Sequence, residues 1–145
     1  MIESVTGSSS DAAKYGDEDA TFQACGGEAG VANLVDSFYD IMSSNPAYRQ
    51  IYDWHPDDAL ARDKLARFLC GWMGGPKRYH KKYGAISIPR VHSHLQIKTP
   101  ERDMWLHCMR EALERQPYPA GLRDYLLLQL GVPAEHVRRT CEERA

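Results

Sequence analysis

Between Pro89 and Met109 the chain reads PRVHSHLQIKTPERDMWLHCM, which sets two imidazoles, His92 and His94, one residue apart just ahead of a helix start. Three chemistries use histidine in this setting. A zinc site needs further Cys, His, Asp or Glu ligands at a workable spacing. His80 is the one extra candidate nearby, and the sequence has neither an H-E-x-x-H motif nor a cysteine cluster. A haem site needs one axial imidazole, a large apolar pocket and a few polar groups across the iron. Material for such a pocket is present in Phe38, Tyr39, Trp54, Leu65, Phe68, Leu69, Trp72, Leu95, Ile97 and Trp105, although an aromatic stripe also serves as plain core. The third reading makes both histidines solvated loop side chains. Spacing alone leaves all three open.

The elements that must position these histidines are helical. Val31, Leu34, Val35, Phe38, Ile41 and Met42 recur at helical spacing, which predicts a short helix, a hinge at Gly26-Gly27, and a longer helix ending before Pro46. YRQIYDWHPDD mixes aromatics with proline and reads as a loop or a turn of helix. Ala61, Leu65, Phe68, Leu69 and Trp72 mark an amphipathic helix that Gly74-Gly75-Pro76 terminates. KRYHKKYGAISIPRVHSHLQIK lacks sustained periodicity and reads as mostly loop, with at most a short helix near His92. Thr99 is the expected N-cap of the next helix, with Pro100, Glu101 and Asp103 suiting its first turn. A last helix through Leu122, Tyr125 and Leu126 is expected to kink or break at Gly131-Val132-Pro133. Nothing reads as a sheet. The chain is expected to be all-α, five or six helices joined by one long irregular segment, and such a loop inside a compact domain usually has a function.

Composition bounds what this fold can serve. At 145 residues the chain has the length of one domain with one substantial core. A formal net charge of −2, with Lys and Arg scattered among Asp and Glu, argues against a nucleic-acid partner. No run approaches a membrane span, and the N-terminus has no apolar core of a signal peptide, so a cytoplasmic protein is expected. Residues 1–19, rich in Ser, Gly, Asp and Ala, read as a flexible extension. Cys25, Cys70, Cys108 and Cys141 are widely spaced and read as reduced, buried, small hydrophobes.

Three motifs in this order carry a resemblance: LVDSFYDIM (Leu34 to Met42), KLARFLCGWMGGPKRY (Lys64 to Tyr79), and His92, Ile97 and ERDMWLHCM (Glu101 to Met109). Over roughly residues 20 to 140 the sequence resembles the group II truncated haemoglobins. The resemblance implies a truncated 2-on-2 globin fold, a globin domain over 20–145, and haem b (iron protoporphyrin IX) as cofactor. Counting back from ERDMW at the family's spacing makes His92 the proximal iron ligand. His94 stands where relatives usually have proline and Leu95 where they usually have phenylalanine, so His94 remains an alternative ligand.

The same resemblance places Tyr39 at the family's distal tyrosine and Trp105 at its group II tryptophan. Ala61, four residues before Leu65, falls where vertebrate globins have a distal histidine; an alanine offers no hydrogen bond, so polarity must come from Tyr39, Trp105 and His55. The loop around His55 is one residue shorter than in relatives, which leaves Tyr52 or Trp54 as substitutes for it. Leu65, Phe68, Leu69, Trp72, Leu95, Ile97, Trp105 and Met109 are the implied haem contacts, with Lys64 and Tyr79 toward the propionates. Arg90 lies two residues before His92, where relatives usually have arginines one and three before, and its role stays open.

Fixed donors beside the iron would slow dioxygen release, and that favours a holder over a carrier. The implied function is reversible binding of dioxygen, nitric oxide and carbon monoxide, serving oxygen binding or transport, or detoxification. Nitric oxide dioxygenase or peroxidase-like activity is the enzymatic alternative, and a non-haem helical interaction module the alternative of another class. A reductase partner and a monomer or homodimer complete the expectation, with no membrane partner.

Overall fold

The computed structural model describes residues 15–144; the first fourteen residues of the expected extension lie outside it. The described residues form eight α-helices and no strand: α1 (Ala20–Ala24), α2 (Gly27–Ser44), α3 (Arg49–Tyr52), α4 (Asp58–Trp72), α5 (Arg78–Tyr83), α6 (Ile88–Val91), α7 (Thr99–Glu114) and α8 (Ala120–Arg144). A single 3₁₀ turn, Pro46–Tyr48, precedes α3. None of these helices is long and apolar enough to cross a membrane.

The periodic positions of α2 turn into core. Val31, Leu34, Phe38 and Met42 are fully buried, with Val35 and Ile41 almost so. Each such side chain contributes about 1.5 to 3 kcal/mol by leaving water. α2 packs on α4 and on α7, and α7 packs on α8. The two pairs, α2 with α4 and α7 with α8, make the two-on-two arrangement that the motifs imply.

Turn chemistry sets the entry to α2. Gly26 is left-handed, with φ of +93°, a conformation that carries no Cβ penalty only in glycine. The Tyr118 hydroxyl then donates to the Cys25 carbonyl at 2.8 Å, tying this turn to the α7–α8 loop. Gly74, with φ of +90°, ends α4 where any Cβ would lie 1.8 Å from the Glu18 carbonyl. Residues 15–19 are therefore held to the body: Tyr15 also packs on Tyr125 at 5.3 Å, and the Gly16 amide donates to Thr21 Oγ1 at 2.8 Å. All four cysteines are free and buried.

Three expectations need correction. The segment before α7 holds two short helices, α5 and α6, whose four to six residues are too few to show a periodic stripe. The N-cap of α7 falls one residue earlier than expected, at Lys98. There Glu101 Oε1 accepts the Lys98 amide at 2.9 Å, so the glutamate three residues on does the capping instead of Thr99. α8 runs unbroken through Pro133. Its buried stripe, Leu122, Leu126, Leu130, Val137 and Cys141, keeps helical phase on both sides of the proline, and that burial outweighs one lost backbone hydrogen bond.

Candidate functional site

α2, α4, α6, α7 and α8 enclose a cavity of about 500 Å³, within the range of small-molecule and cofactor sites. Most of its wall is hydrocarbon: Leu65, Phe68 and Leu69 from α4, Leu95 and Ile97 from the segment after α6, and Leu130, Ala134 and Val137 from α8. Polar groups are few and sit at particular places.

His92 caps the C-terminus of α6 and lines the cavity. Its Nδ1 lies 2.7 Å from the Ile88 carbonyl. A carbonyl only accepts, so Nδ1 carries a hydrogen and Nε2 is the nitrogen left for another partner. The Cys141 thiol donates to the His92 carbonyl at 3.3 Å, and α6 packs on α8, so both backbone and ring are fixed. His94 also borders the cavity but is exposed, and its ring has no hydrogen bond among the described residues. No three His, Cys, Asp or Glu side chains among the described residues converge where they could hold a metal ion.

Tyr39 from α2 and Trp105 from α7 reach the cavity beside the fully buried Phe38. The Phe38 ring is edge-on to both, at 5.1 Å from Tyr39 and 5.2 Å from Trp105. Neither the Tyr39 hydroxyl nor the Trp105 indole N–H has a hydrogen-bond partner among the described residues, so both donors are free toward the cavity. Burial pushes the Tyr39 phenol far above its ordinary value, with the Asp58 charge adding to it and Arg62 opposing; the hydroxyl keeps its proton. The Arg62 guanidinium stacks over the Tyr39 ring at 5.7 Å. Its own position is set by Asp58 at 2.6 Å, Asp40 at 2.9 Å and Asp36 at 3.3 Å.

The loop before α4 brings two of its three candidate residues to the cavity. Trp54 and His55 line the cavity, whereas Tyr52 donates its hydroxyl to Asp58 Oδ2 at 2.9 Å and is drawn off the wall. The His55 ring is edge-on to Tyr39 at 5.4 Å, and its Nδ1 lies 3.0 Å from the Ile51 carbonyl. Burial holds this imidazole below its ordinary pKa, opposed by the Ile51 carbonyl.

Ala61, Lys64 and Tyr79 complete the set of expected residues that line the cavity. Tyr79 is edge-on to Phe68 at 6.5 Å, and Lys64 Nζ lies 5.4 Å from the centre of the Tyr83 ring. Two expected cofactor contacts lie elsewhere. Met109 is fully buried among the core side chains of α7, one turn beyond Trp105 and off the cavity wall. Trp72, the last residue of α4, is half-buried against the core and is not part of the cavity wall. Arg90 is exposed and off the wall.

The sequence reading missed the wall that α8 supplies. Leu130, Pro133, Ala134 and Val137 line the cavity, and their spacing of three, four and seven is itself a helical signature. Arg102 was missed as well: it borders the cavity and is held by Glu135 at 2.6 Å and Asp103 at 3.0 Å.

The arrangement resembles known proteins. The bacterial-like globin family model matches residues 20–139. The cold-adapted truncated haemoglobin of Pseudoalteromonas haloplanktis TAC125 shares 32% identity with a TM-score of 0.77, covering 81% of this chain and 95% of that one. The group II 2-on-2 haemoglobin of Agrobacterium tumefaciens shares 32% identity with a TM-score of 0.76, over 81% and 92% of the two chains. A truncated oxygen-avid haemoglobin of Bacillus subtilis shares 28% identity with a TM-score of 0.72, over 81% and 97%.

Proposed function

The chain belongs to the bacterial-like globin family, in its group II truncated haemoglobin branch, and from that premise we propose that it holds haem b through His92 and retains dioxygen for detoxifying chemistry. Membership of the family carries haem and small-ligand binding with it. One observation supports the rest: an imidazole, fixed by its Nδ1–H to Ile88 so that Nε2 is the nitrogen left for a metal, lines an apolar cavity that two partnerless donors also enter.

The residues present fit the group. A metal-ligating imidazole needs its second nitrogen bonded, which fixes the ring and raises its basicity, and the Ile88 carbonyl meets that need. Leu65, Phe68, Leu95, Ile97 and Val137 supply apolar walls for a macrocycle, and Lys64 and Tyr79 offer a cation and a hydroxyl to its carboxylates. When bound, the haem iron supplies the redox-active position at which a diatomic ligand is held.

Tyr39 and Trp105 then decide how long the ligand stays. Each donates to ligand atoms that gather negative charge, as oxyanion donors do. A hydrogen bond to a charged acceptor is worth about 1.5 to 3 kcal/mol, a factor of roughly 10 to 150 in affinity. Two such donors make a holder and a poor carrier. The oxygen-avid Bacillus subtilis relative supports the same reading, and nitric oxide and carbon monoxide are the other diatomic ligands of this site. Four buried free thiols suit a reducing compartment, so we place the protein in the cytoplasm with a reductase that returns the iron to the ferrous state.

The test is the visible spectrum of purified protein, ferric and then reduced under carbon monoxide, for wild type and His92→Ala. The expected result is an intense Soret band with a histidine-ligated carbon monoxide spectrum in wild type, lost or shifted in the variant. A wild type that takes up no haem overturns the proposal.

A further inference from the structure

Lys and Arg are not spread evenly through this chain. Eight of the eighteen fall between Lys64 and Lys98, a stretch without a single Asp or Glu, and the others share the rest of the sequence with all twenty carboxylates. Folding puts that stretch along one rim of the cavity: Lys64 and Tyr79 line it from α4 and α5, and Ile86, Ile88 and Val91 continue the wall through α6. The acidic residues of the wall, Asp57 and Glu101, come from the start of α4 and from α7. The α5–α6 rim is therefore the positive one.

Some of its cations are used internally. Arg67 and Lys82 share Asp63 at 2.9 and 3.0 Å, Arg78 pairs with Glu28 at 3.0 Å, and the functional reading gives Lys64 to the haem carboxylates. Lys77, Lys81 and Arg90 are exposed, and none of them has a carboxylate within ion-pair distance among the described residues. Lys77 and Lys81 lie one helical turn apart at α5. Next to Arg90, Val91 is half-exposed while lining the cavity. Surplus cations and one exposed apolar side chain on the same rim match the polar border and apolar centre of a protein interface.

We infer that this rim is the docking surface for an acidic electron-donor protein, one that carries a flavin or iron–sulfur group and returns the iron to the ferrous state. The inference rests on the haem reading above. In the step one electron leaves the reduced donor group and reaches the ferric iron; the donor is oxidised by one electron, and no covalent bond forms or breaks. Positive charge at the cavity edge steers a negative partner to that edge, and a small contact suffices for a redox encounter. A protein fits this surface better than a bilayer does. A helix lying on lipid needs a broad apolar face, whereas the aromatic residues of α5 turn inward, Tyr79 edge-on to Phe68 and Tyr83 donating to Asp63.

The experiment uses the haem-loaded ferric protein with flavodoxin, a small acidic flavoprotein, as the probe. Wild type is compared with Lys77→Glu/Lys81→Glu and with a control of equal charge off the cavity wall, Arg49→Glu/Arg110→Glu. Stopped flow follows reduction by flavodoxin hydroquinone under carbon monoxide over a range of salt, and carbodiimide cross-linking to oxidised flavodoxin reports the contact without turnover. At low salt, reduction is expected to slow about 10-fold or more in the lysine variant, the scale of electrostatic steering, and by less in the control. The difference closes at high salt, wild type cross-links through Lys77 or Lys81, and dioxygen dissociation is the same in all three proteins. Equal slowing in both variants, or a wild-type rate independent of salt, would overturn the proposal. So would wild type that sediments with phosphatidylserine vesicles, through the same lysines, and gives no cross-link to flavodoxin, because the surface would then serve lipid. A wild type that takes up no haem fails the functional reading instead, and the cross-links still decide whether the rim binds an acidic protein.

Discussion

Tyr39 and Trp105 come from different helices, α2 and α7, and each meets the cavity edge-on to the same ring, Phe38. Phe38 is fully buried, so the two donors are positioned by the core of the protein and not by a loop. Tyr39→Phe and Trp105→Phe each remove a donor while keeping the apolar bulk that packs on Phe38. Each is expected to raise the dioxygen dissociation rate by roughly 10- to 150-fold, the worth of one hydrogen bond to a charged acceptor. Stopped-flow displacement of dioxygen by carbon monoxide measures this. An unchanged rate in both variants would show that neither donor reaches the ligand.

His92 and His94 separate by their surroundings. His92 has its ring tied to Ile88 and its carbonyl tied to Cys141, while His94 is exposed with no comparable restraint. His92→Gly is expected to lose the histidine-ligated spectrum and to regain it when free imidazole fills the space. His94→Ala should keep the wild-type spectrum and haem content. The reverse pattern would move the iron ligand to His94.

The long amphipathic stretches of this chain were legible because their periodicity spans several turns: Val31 to Met42 and Ala61 to Trp72 both fold where the spacing puts them. α5 and α6 were not, since helices of six and four residues cannot display a stripe. The cavity was half legible. The expected positions Tyr39, His55, Leu65 and His92 all line it, whereas Met109, which the core of α7 takes up entirely, and Trp72, at the end of α4, do not. Reading Pro133 as a kink or a break hid the α8 wall. A proline reports only a missing donor and a local clash; whether the helix continues is decided by tertiary burial on either side.

That proline can be tested directly. Pro133 stands inside α8, where it removes one hydrogen bond and costs about 3 kcal/mol relative to alanine in a helix interior. Pro133→Ala restores the amide, at the expense of some apolar wall. Its unfolding free energy, measured by chemical denaturation of the haem-free protein, is expected to rise by about 1 to 3 kcal/mol. A loss of stability would mean that the ring's packing against the cavity outweighs the hydrogen bond.

Acid should destabilise the fold through carboxylates held by cations. Arg138, Arg102 and Arg139 surround Glu135 and hold its carboxyl well below the usual range. Hydrogen bonds from Tyr83, Lys82 and Arg67 do the same for Asp63, and Arg62 for Asp58. A folded-state value below the unfolded one means that the unfolded chain binds more protons as pH drops. The stabilisation is therefore complete above the unfolded value of about 4 and is lost as pH falls through the folded value. His55 acts in the same sense from higher pH, since its folded value is also depressed; its share fades as pH falls below about 6.5. The denaturant midpoint is expected to fall gently between pH 6.5 and 5 and more steeply below 4. Glu135→Gln removes one of these carboxylates, and in the haem-free protein, where acid loss of haem plays no part, its midpoint should fall less between pH 6 and 3 than that of wild type. The exposed setting of these pairs makes the difference small and salt-sensitive, and equal slopes at low salt would show that the arginine cluster on Glu135 contributes nothing to the folded state.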